Sequence, residues 1–235
     1  MTAPRRIIGP SQSTVGAAAP GALTLATGSY RLHPVPQENY QGNFMAPENR
    51  SADITDAQSV SLWLWNLPLH VAYHKLLSAI RNIGPIFQTY INGPNEEFPH
   101  TCAAKLTFLD KDSTNRMLEM IRAKNLMVRG MVAEGRLYRI KVAPRPRRSE
   151  SRVIEVTGPK EVVRMEVLER IWRGITYQLD EVLVLSEKED SRTLEVRFGS
   201  YRRQAESARK AIYQHKDDAA FSGTQARLWA QVRSR

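Results

Sequence analysis

Two stretches of the chain alternate apolar and polar positions in a way that predicts the same order of elements twice. From Val60 onward, Leu62-Trp63-Leu64-Trp65 reads as a strand closed by Asn66-Leu67-Pro68. Tyr73, Leu76, Leu77, Ile80 and Ile83 then recur at helical spacing, and Gly84-Pro85 is expected to stop that helix as a left-handed cap followed by proline. Residues 86–91 read as a strand, Gly93-Pro94-Asn95 opens a loop, and residues 102–108 alternate as a third strand. Asp112 is the expected cap of a second helix carrying Met117, Leu118 and Ile121, and residues 137–142 read as a last strand. The order βαββαβ is a split βαβ unit with its helices on one face of a four-stranded sheet.

After a proline-punctuated basic stretch the order recurs. Residues 153–156 form a strand, and Val163, Val167, Leu168, Ile171 and Trp172 fit a helix. Residues 177–185 and 193–198 are strands, Ser200 is the expected cap of a helix bearing Ala205, Ala208 and Ile212, and residues 228–232 are a short last strand. The two halves share little sequence, so the repeat is one of pattern. The expected fold class is α+β: two ferredoxin-like βαββαβ units, each a four-stranded antiparallel sheet with two helices. The predicted organisation is a disordered arm at 1–58, a first unit at 59–143, a basic linker at 144–152 and a second, degenerate unit at 153–235. The arm is rich in Pro, Gly, Ala, Ser and Thr without a sustained period.

Strand parity assigns faces, because successive side chains point to opposite sides of a sheet. With Leu62 and Leu64 toward the helices, Trp63 and Trp65 point to the open face. On the third strand Cys102, Ala104, Leu106 and Phe108 go inward, leaving Ala103, Lys105 and Thr107 outward. On the second strand Thr89 and Ile91 go inward and Tyr90 outward. On the last strand Tyr138, Ile140 and Val142 are expected inward, with Arg139 and Lys141 outward. The open face therefore collects Trp63, Trp65, Tyr90, Lys105, Arg139 and Lys141. Aromatic planes ringed by cations suit single-stranded RNA, whose bases stack while its phosphates meet positive charge.

Charge is distributed to match. The chain of 235 residues has a formal net charge of +10. Residues 59–143 hold 11 basic and 6 acidic groups, and residues 144–152 hold 4 and 1, whereas 1–58 and 153–215 are balanced. An anionic partner is expected on the first unit and the linker after it.

The hexamer Leu62-Trp63-Leu64-Trp65-Asn66-Leu67 resembles the first-strand motif of the RNA recognition motif (RRM) domain at every constrained position. The third-strand octamer of that family aligns with Thr101-Cys102-Ala103-Ala104-Lys105-Leu106-Thr107-Phe108. Ala104, Leu106 and Phe108 match; Thr101 and Cys102 do not, and Ala103 and Lys105 replace the two outward aromatics. The resemblance covers residues 59–143 and implies RNA contact through Trp63, Trp65, Asn66, Ala103 and Lys105, with fewer stacking platforms than the family pattern. It also makes Arg145, Arg147 and Arg148 of the linker candidates for phosphate contact; a solvated basic linker is the alternative. The second unit resembles the RRM more loosely. Glu155, Thr193 and Glu195 fall at the positions of its stacking residues, and carboxylates there repel phosphate. Its helical surface, near Trp172 and Arg202-Arg203, is the candidate contact for the first unit or a protein partner. The stretch Leu194-Glu195-Val196-Arg197-Phe198-Gly199-Ser200-Tyr201 resembles a tandem arrangement in proteins of filamentous fungi, a resemblance that implies no activity.

Other chemistries fit poorly. His70 and His74 are four apart, but Val71 stands where a zincin needs glutamate. Gly158-Pro159-Lys160 lacks the glycine spacing of a phosphate loop, no G-x-S-x-G elbow occurs, and the single cysteine, Cys102, lies inside a strand as a small hydrophobe. One thiol makes neither an internal disulfide nor a thiolate zinc cluster. No enzyme activity, cofactor or metal is expected. No apolar run reaches the length of a membrane helix. An intracellular location in nucleus or cytoplasm is expected. The first 37 residues carry three arginines and no acid, as a mitochondrial leader does, but their prolines argue against one. The expected function is single-stranded RNA binding by the first unit, in post-transcriptional processing or regulation. The rival is a protein-interaction adaptor whose tryptophans are covered by the arm, the second unit or a peptide.

Overall fold

A computed structural model of the protein describes residues 5–7, 50–146, 150–215 and 217–228. The strands are β1 (Arg5–Ile7), β2 (Ser61–Pro68), β3 (Ile86–Asn92), β4 (Thr101–Phe108), β5 (Met127–Val128), β6 (Met131–Val132), β7 (Glu134–Leu137), β8 (Val153–Pro159), β9 (Leu179–Glu187), β10 (Ser191–Phe198) and β11 (Gln225–Leu228). The α-helices are α1 (Tyr73–Ala79), α2 (Lys111–Arg122), α3 (Met165–Ile171) and α4 (Glu206–Gln214). The first sheet runs β3-β4-β2-β7 and the second β1-β9-β10-β8-β11. Both are antiparallel, and each main sheet with its two helices is a ferredoxin-like βαββαβ unit.

The first core forms where alternation places it. Leu62, Leu64, Ala104, Leu106 and Phe108 point from the sheet onto Leu76, Leu77, Ile80 and Met117 of the helical layer, all of them buried. Each large side chain removed from water contributes about 1.5–3 kcal/mol. The cap of α2 is Asp110, not Asp112: its carboxylate accepts the Ser113 N–H at 2.8 Å and the Ser113 hydroxyl at 2.7 Å. Asp112 sits inside the first turn. α1 ends at Ala79 with Ile80 as its C-cap, four residues before Gly84. Gly84 is therefore not the cap; a Cβ there would lie 1.9 Å from Ser113 Oγ, so it permits close approach to α2.

The last strand ends at Leu137, earlier than the expected 137–142, and its phase is the opposite of the expected one. Leu137 pairs with Leu62 and Gly135 with Leu64, so Leu137 and Gly135 face the helices. A one-residue slip exchanges the two faces of a strand. Arg136 and Tyr138 are thus on the open side. Residues 138–142 meet residues of a segment expected in the arm and the start of the first unit: Ala52 N–H donates to Lys141 O and Val60 N–H to Val142 O, both at 2.9 Å. The hairpin β5–β6, absent from the expected order, turns at Arg129 and Gly130, both with positive φ.

In the second unit Ile154, Val156, Val182, Leu194, Val196 and Phe198 face α3 and α4. Trp172 is fully buried at their centre rather than on a contact surface, with its indole N–H donating to Ala208 O at 3.1 Å. Its ring meets Phe198 edge-on at 5.4 Å. β11 begins at Gln225, so only Leu228 overlaps the expected last strand, and residues 229–232 lie outside the described residues. Arg5–Ile7, within the expected arm, adds a strand to the β9 edge, opposite residues 182–184.

The two units dock through the β3 edge and α1. Thr89 N–H donates to Gly199 O at 3.1 Å and to Ser200 Oγ at 3.2 Å, and the Ser200 hydroxyl donates to Thr89 O at 3.0 Å. Ser200 therefore bridges the units instead of capping the helix after it. Phe87 is buried against Tyr201, ring centroids 5.9 Å apart. Arg81, just past α1, pairs with Glu181 at 2.9 Å and Asp180 at 3.5 Å. Asp180 also holds Arg152 at 3.0 Å, and burial pushes that guanidinium's pKa down against the opposing pull of the carboxylate.

Candidate nucleic-acid interface

Register places four side chains in one transverse row on the open face of the first sheet. Arg136 on β7 pairs with Trp63 on β2, Trp63 with Lys105 on β4, and Lys105 with Tyr90 on β3. Adjacent strands lie about 4.8 Å apart, so Trp63 and Tyr90 stand roughly 10 Å from each other across Lys105. Trp65 follows two positions along β2, opposite Glu134. The bulge between Leu64 and Leu67 then breaks the pairing of β2 with β4.

The row is partly self-contacting. Tyr138 stacks on Trp63 with centroids 5.4 Å apart and planes 20° from parallel. Lys105 Nζ lies 5.4 Å from the Tyr138 centroid, and the Arg136 guanidinium lies 5.9 Å from the Trp65 ring. Trp63 and Trp65 are half-buried; Tyr90 is 43% exposed. Burial first, and the nearby Arg202 guanidinium second, hold the Lys105 pKa below the usual lysine value.

Several expected contacts have other places. Asn66, at a left-handed φ of 57°, donates its side-chain amide to Val132 O at 2.8 Å and so pins the β6 hairpin. Lys141 lies off the sheet, bound to Asp56 Oδ1 at 3.0 Å and Ile54 O at 2.9 Å. Arg139 is exposed on a bend beyond β7. These two were expected on the face by the parity that β7 reverses. Arg145 pairs with Glu150 at 3.0 Å while its guanidinium lies 4.5 Å from the centroid of Phe87, inside the docking region. Arg147 and Arg148 lie outside the described residues. Ala103 is half-buried on the open face opposite Asn92. Three residues absent from the expected face belong to it or flank it: Arg136, Tyr138 and Arg202. Phasing β7 on Gly135 and Leu137 identifies the first two from sequence; no local pattern identifies the third.

Solved structures to which the chain is similar include RRM domains and other RNA-binding domains. They include an RNA complex of the Sex-lethal protein (18% identity, 73% of this chain and 99% of that one, TM-score 0.29). RNA recognition domains 1 and 2 of Sex-lethal from Drosophila melanogaster give 18% identity over 72% and 99%, TM-score 0.28. The first two RRM domains of the yeast poly(U)-binding protein Pub1 give 15% identity over 72% and 99%, TM-score 0.29. No protein-family model and no curated protein matches the chain.

The face of the second sheet away from its own helices differs in kind, with Glu181 and Glu195 buried and Arg81 of the first unit on Glu181. Glu155 and Glu195 pair across β8 and β10, and Arg197 ion-pairs with Glu195 and with Glu181, the latter at 3.0 Å. Thr157 and Thr193 hydroxyls lie 3.1 Å apart on the same ladder. Carboxylates already paired with Arg197 and Arg81 offer phosphate no net attraction. Among the described residues no helix is long and apolar enough to cross a membrane, and no group of three or more His, Cys, Asp or Glu is placed to hold a metal ion.

Proposed function

We propose that the first unit binds single-stranded RNA through its open sheet face, without catalysis, in post-transcriptional processing or regulation. The observation that carries this reading is the row Arg136, Trp63, Lys105 and Tyr90, with Trp65 beside it. Tyr90 and Trp65 offer planes for bases, and Lys105 and Arg136 offer charge to phosphates. The acidic second face has no comparable set, so the second unit acts as a docked companion and a surface for protein contact.

The self-stacking of Trp63 and Tyr138 favours one other reading, an adaptor whose aromatic face seats a peptide. Titrating the full chain with a random-sequence single-stranded RNA pool, while following tryptophan emission, separates the two. Quenching with affinity that falls as salt rises supports RNA binding. Trp65→Ala and Tyr90→Ala should then each weaken it by about 1–3 kcal/mol, the usual contribution of a stacked base. Absence of binding at low salt overturns the proposal in favour of the adaptor.

A further inference from the structure

Past the β3 edge the second unit places a cation that its own sheet does not use. The turn Tyr201–Ala205 leaves helical geometry at Arg202 (φ −62°, ψ 137°) and Arg203 (φ 59°, ψ −6°). A left-handed φ is unfavourable for a residue with a Cβ. The turn is held from both sides by docking contacts: Ser200 on Thr89, and Tyr201 on Phe87. This conformation carries the Arg202 guanidinium to 5.8 Å from the Phe87 centroid, beside the strand that presents Tyr90. Among the described residues Arg202 has no carboxylate within ion-pair distance. Glu150 is engaged by Arg145, and Glu206 by Lys210 at 2.8 Å.

From this placement we infer that the RNA site is composite: Arg202 of the second unit binds a backbone phosphate of its own where the strand leaves Tyr90, beside Lys105 of the first. The inference rests on the RNA-binding reading above. An arginine beside an aromatic ring still has N–H edges to offer, and its planar fork suits a phosphodiester. Two like charges near each other are unfavourable until an anion arrives, and the basicity of Lys105 is depressed first by burial and then by Arg202. The second unit thereby contributes to binding although its own sheet is acidic. The docking, rather than the second sheet, is what the tandem arrangement supplies.

The test uses the full chain and the same random-sequence RNA pool across a salt series. Arg202→Ala should lower affinity and flatten the dependence of log K on log salt by about 0.7, the slope that one neutralised phosphate carries on a single strand. Arg202→Lys should keep the slope, since the charge remains. A cooperative melt of Arg202→Ala at the wild-type midpoint assigns the weaker binding to the missing guanidinium rather than to the fold. An unchanged slope in Arg202→Ala overturns the composite site. If Trp65→Ala still weakens binding in that case, the sheet reading survives on its own. Failure of the wild-type chain to bind removes both.

Discussion

Ser200 and Thr89 lie 111 positions apart, yet the Ser200 hydroxyl both accepts from the Thr89 N–H and donates to the Thr89 carbonyl, at 3.2 and 3.0 Å. Both residues are buried. The pair extends the edge of the first sheet by one bridge into the second unit. It also fixes where the turn carrying Tyr201 and Arg202 lies against β3.

Ser200→Ala should therefore loosen the docking while leaving each core intact. The Thr89 carbonyl loses its hydroxyl partner, and a buried group left without one costs about 1–3 kcal/mol. The Thr89 amide keeps Gly199 O, so its hydrogen exchange should accelerate rather than become unprotected. Exchange at the wild-type rate would show that other contacts hold the units together.

The buried pair of Arg152 and Asp180 makes a stronger demand. Asp180→Ala leaves two guanidinium groups, Arg152 and Arg81, without that carboxylate. Breaking such a pair typically costs about 3–5 kcal/mol. Urea denaturation should show a loss of about that size. The double change Arg152→Met with Asp180→Leu should recover much of it, because both desolvated charges are gone.

Lys105 sets stability against binding. Its folded pKa is lowered by burial and by Arg202, so the unfolded chain binds the proton more tightly. The charged form is thus a penalty on folding at neutral pH, and stability should rise with pH between the lowered pKa and the ordinary lysine value. Lys105→Met should melt higher than wild type at pH 7, with the gain shrinking as pH enters that alkaline window. The same variant should bind RNA more weakly. A lower melting temperature at pH 7 would contradict the assignment.

Tyr138 protects one face of Trp63. Tyr138→Phe keeps the stacked pair and should be close to neutral. Tyr138→Ala should lose about 0.5–1.5 kcal/mol beyond the area term and shift tryptophan emission to the red as Trp63 gains water. Emission unchanged in both variants would mean that the stack does not persist in solution.

The sequence by itself determined the two βαββαβ units, the two cores, and the outward placement of Trp63, Trp65, Lys105 and Tyr90. Each follows from a period of two or of 3.6 within a single element, and burying an apolar face is a local demand that the pattern of residues states directly. It did not determine the phase of β7, because Tyr138, Ile140 and Val142 alternate as plausibly as Gly135 and Leu137; pairing with Leu64 and Leu62 chose between them. Nor did it show that Asn66 and Lys141 tie down neighbouring backbone, that Arg145 joins Phe87 in the docking region, or that Arg202 arrives at the first sheet. Those roles depend on contacts between segments distant in sequence. Only the docked tertiary structure brings Ser200 to Thr89, and with it a cation of one unit to the aromatic face of the other.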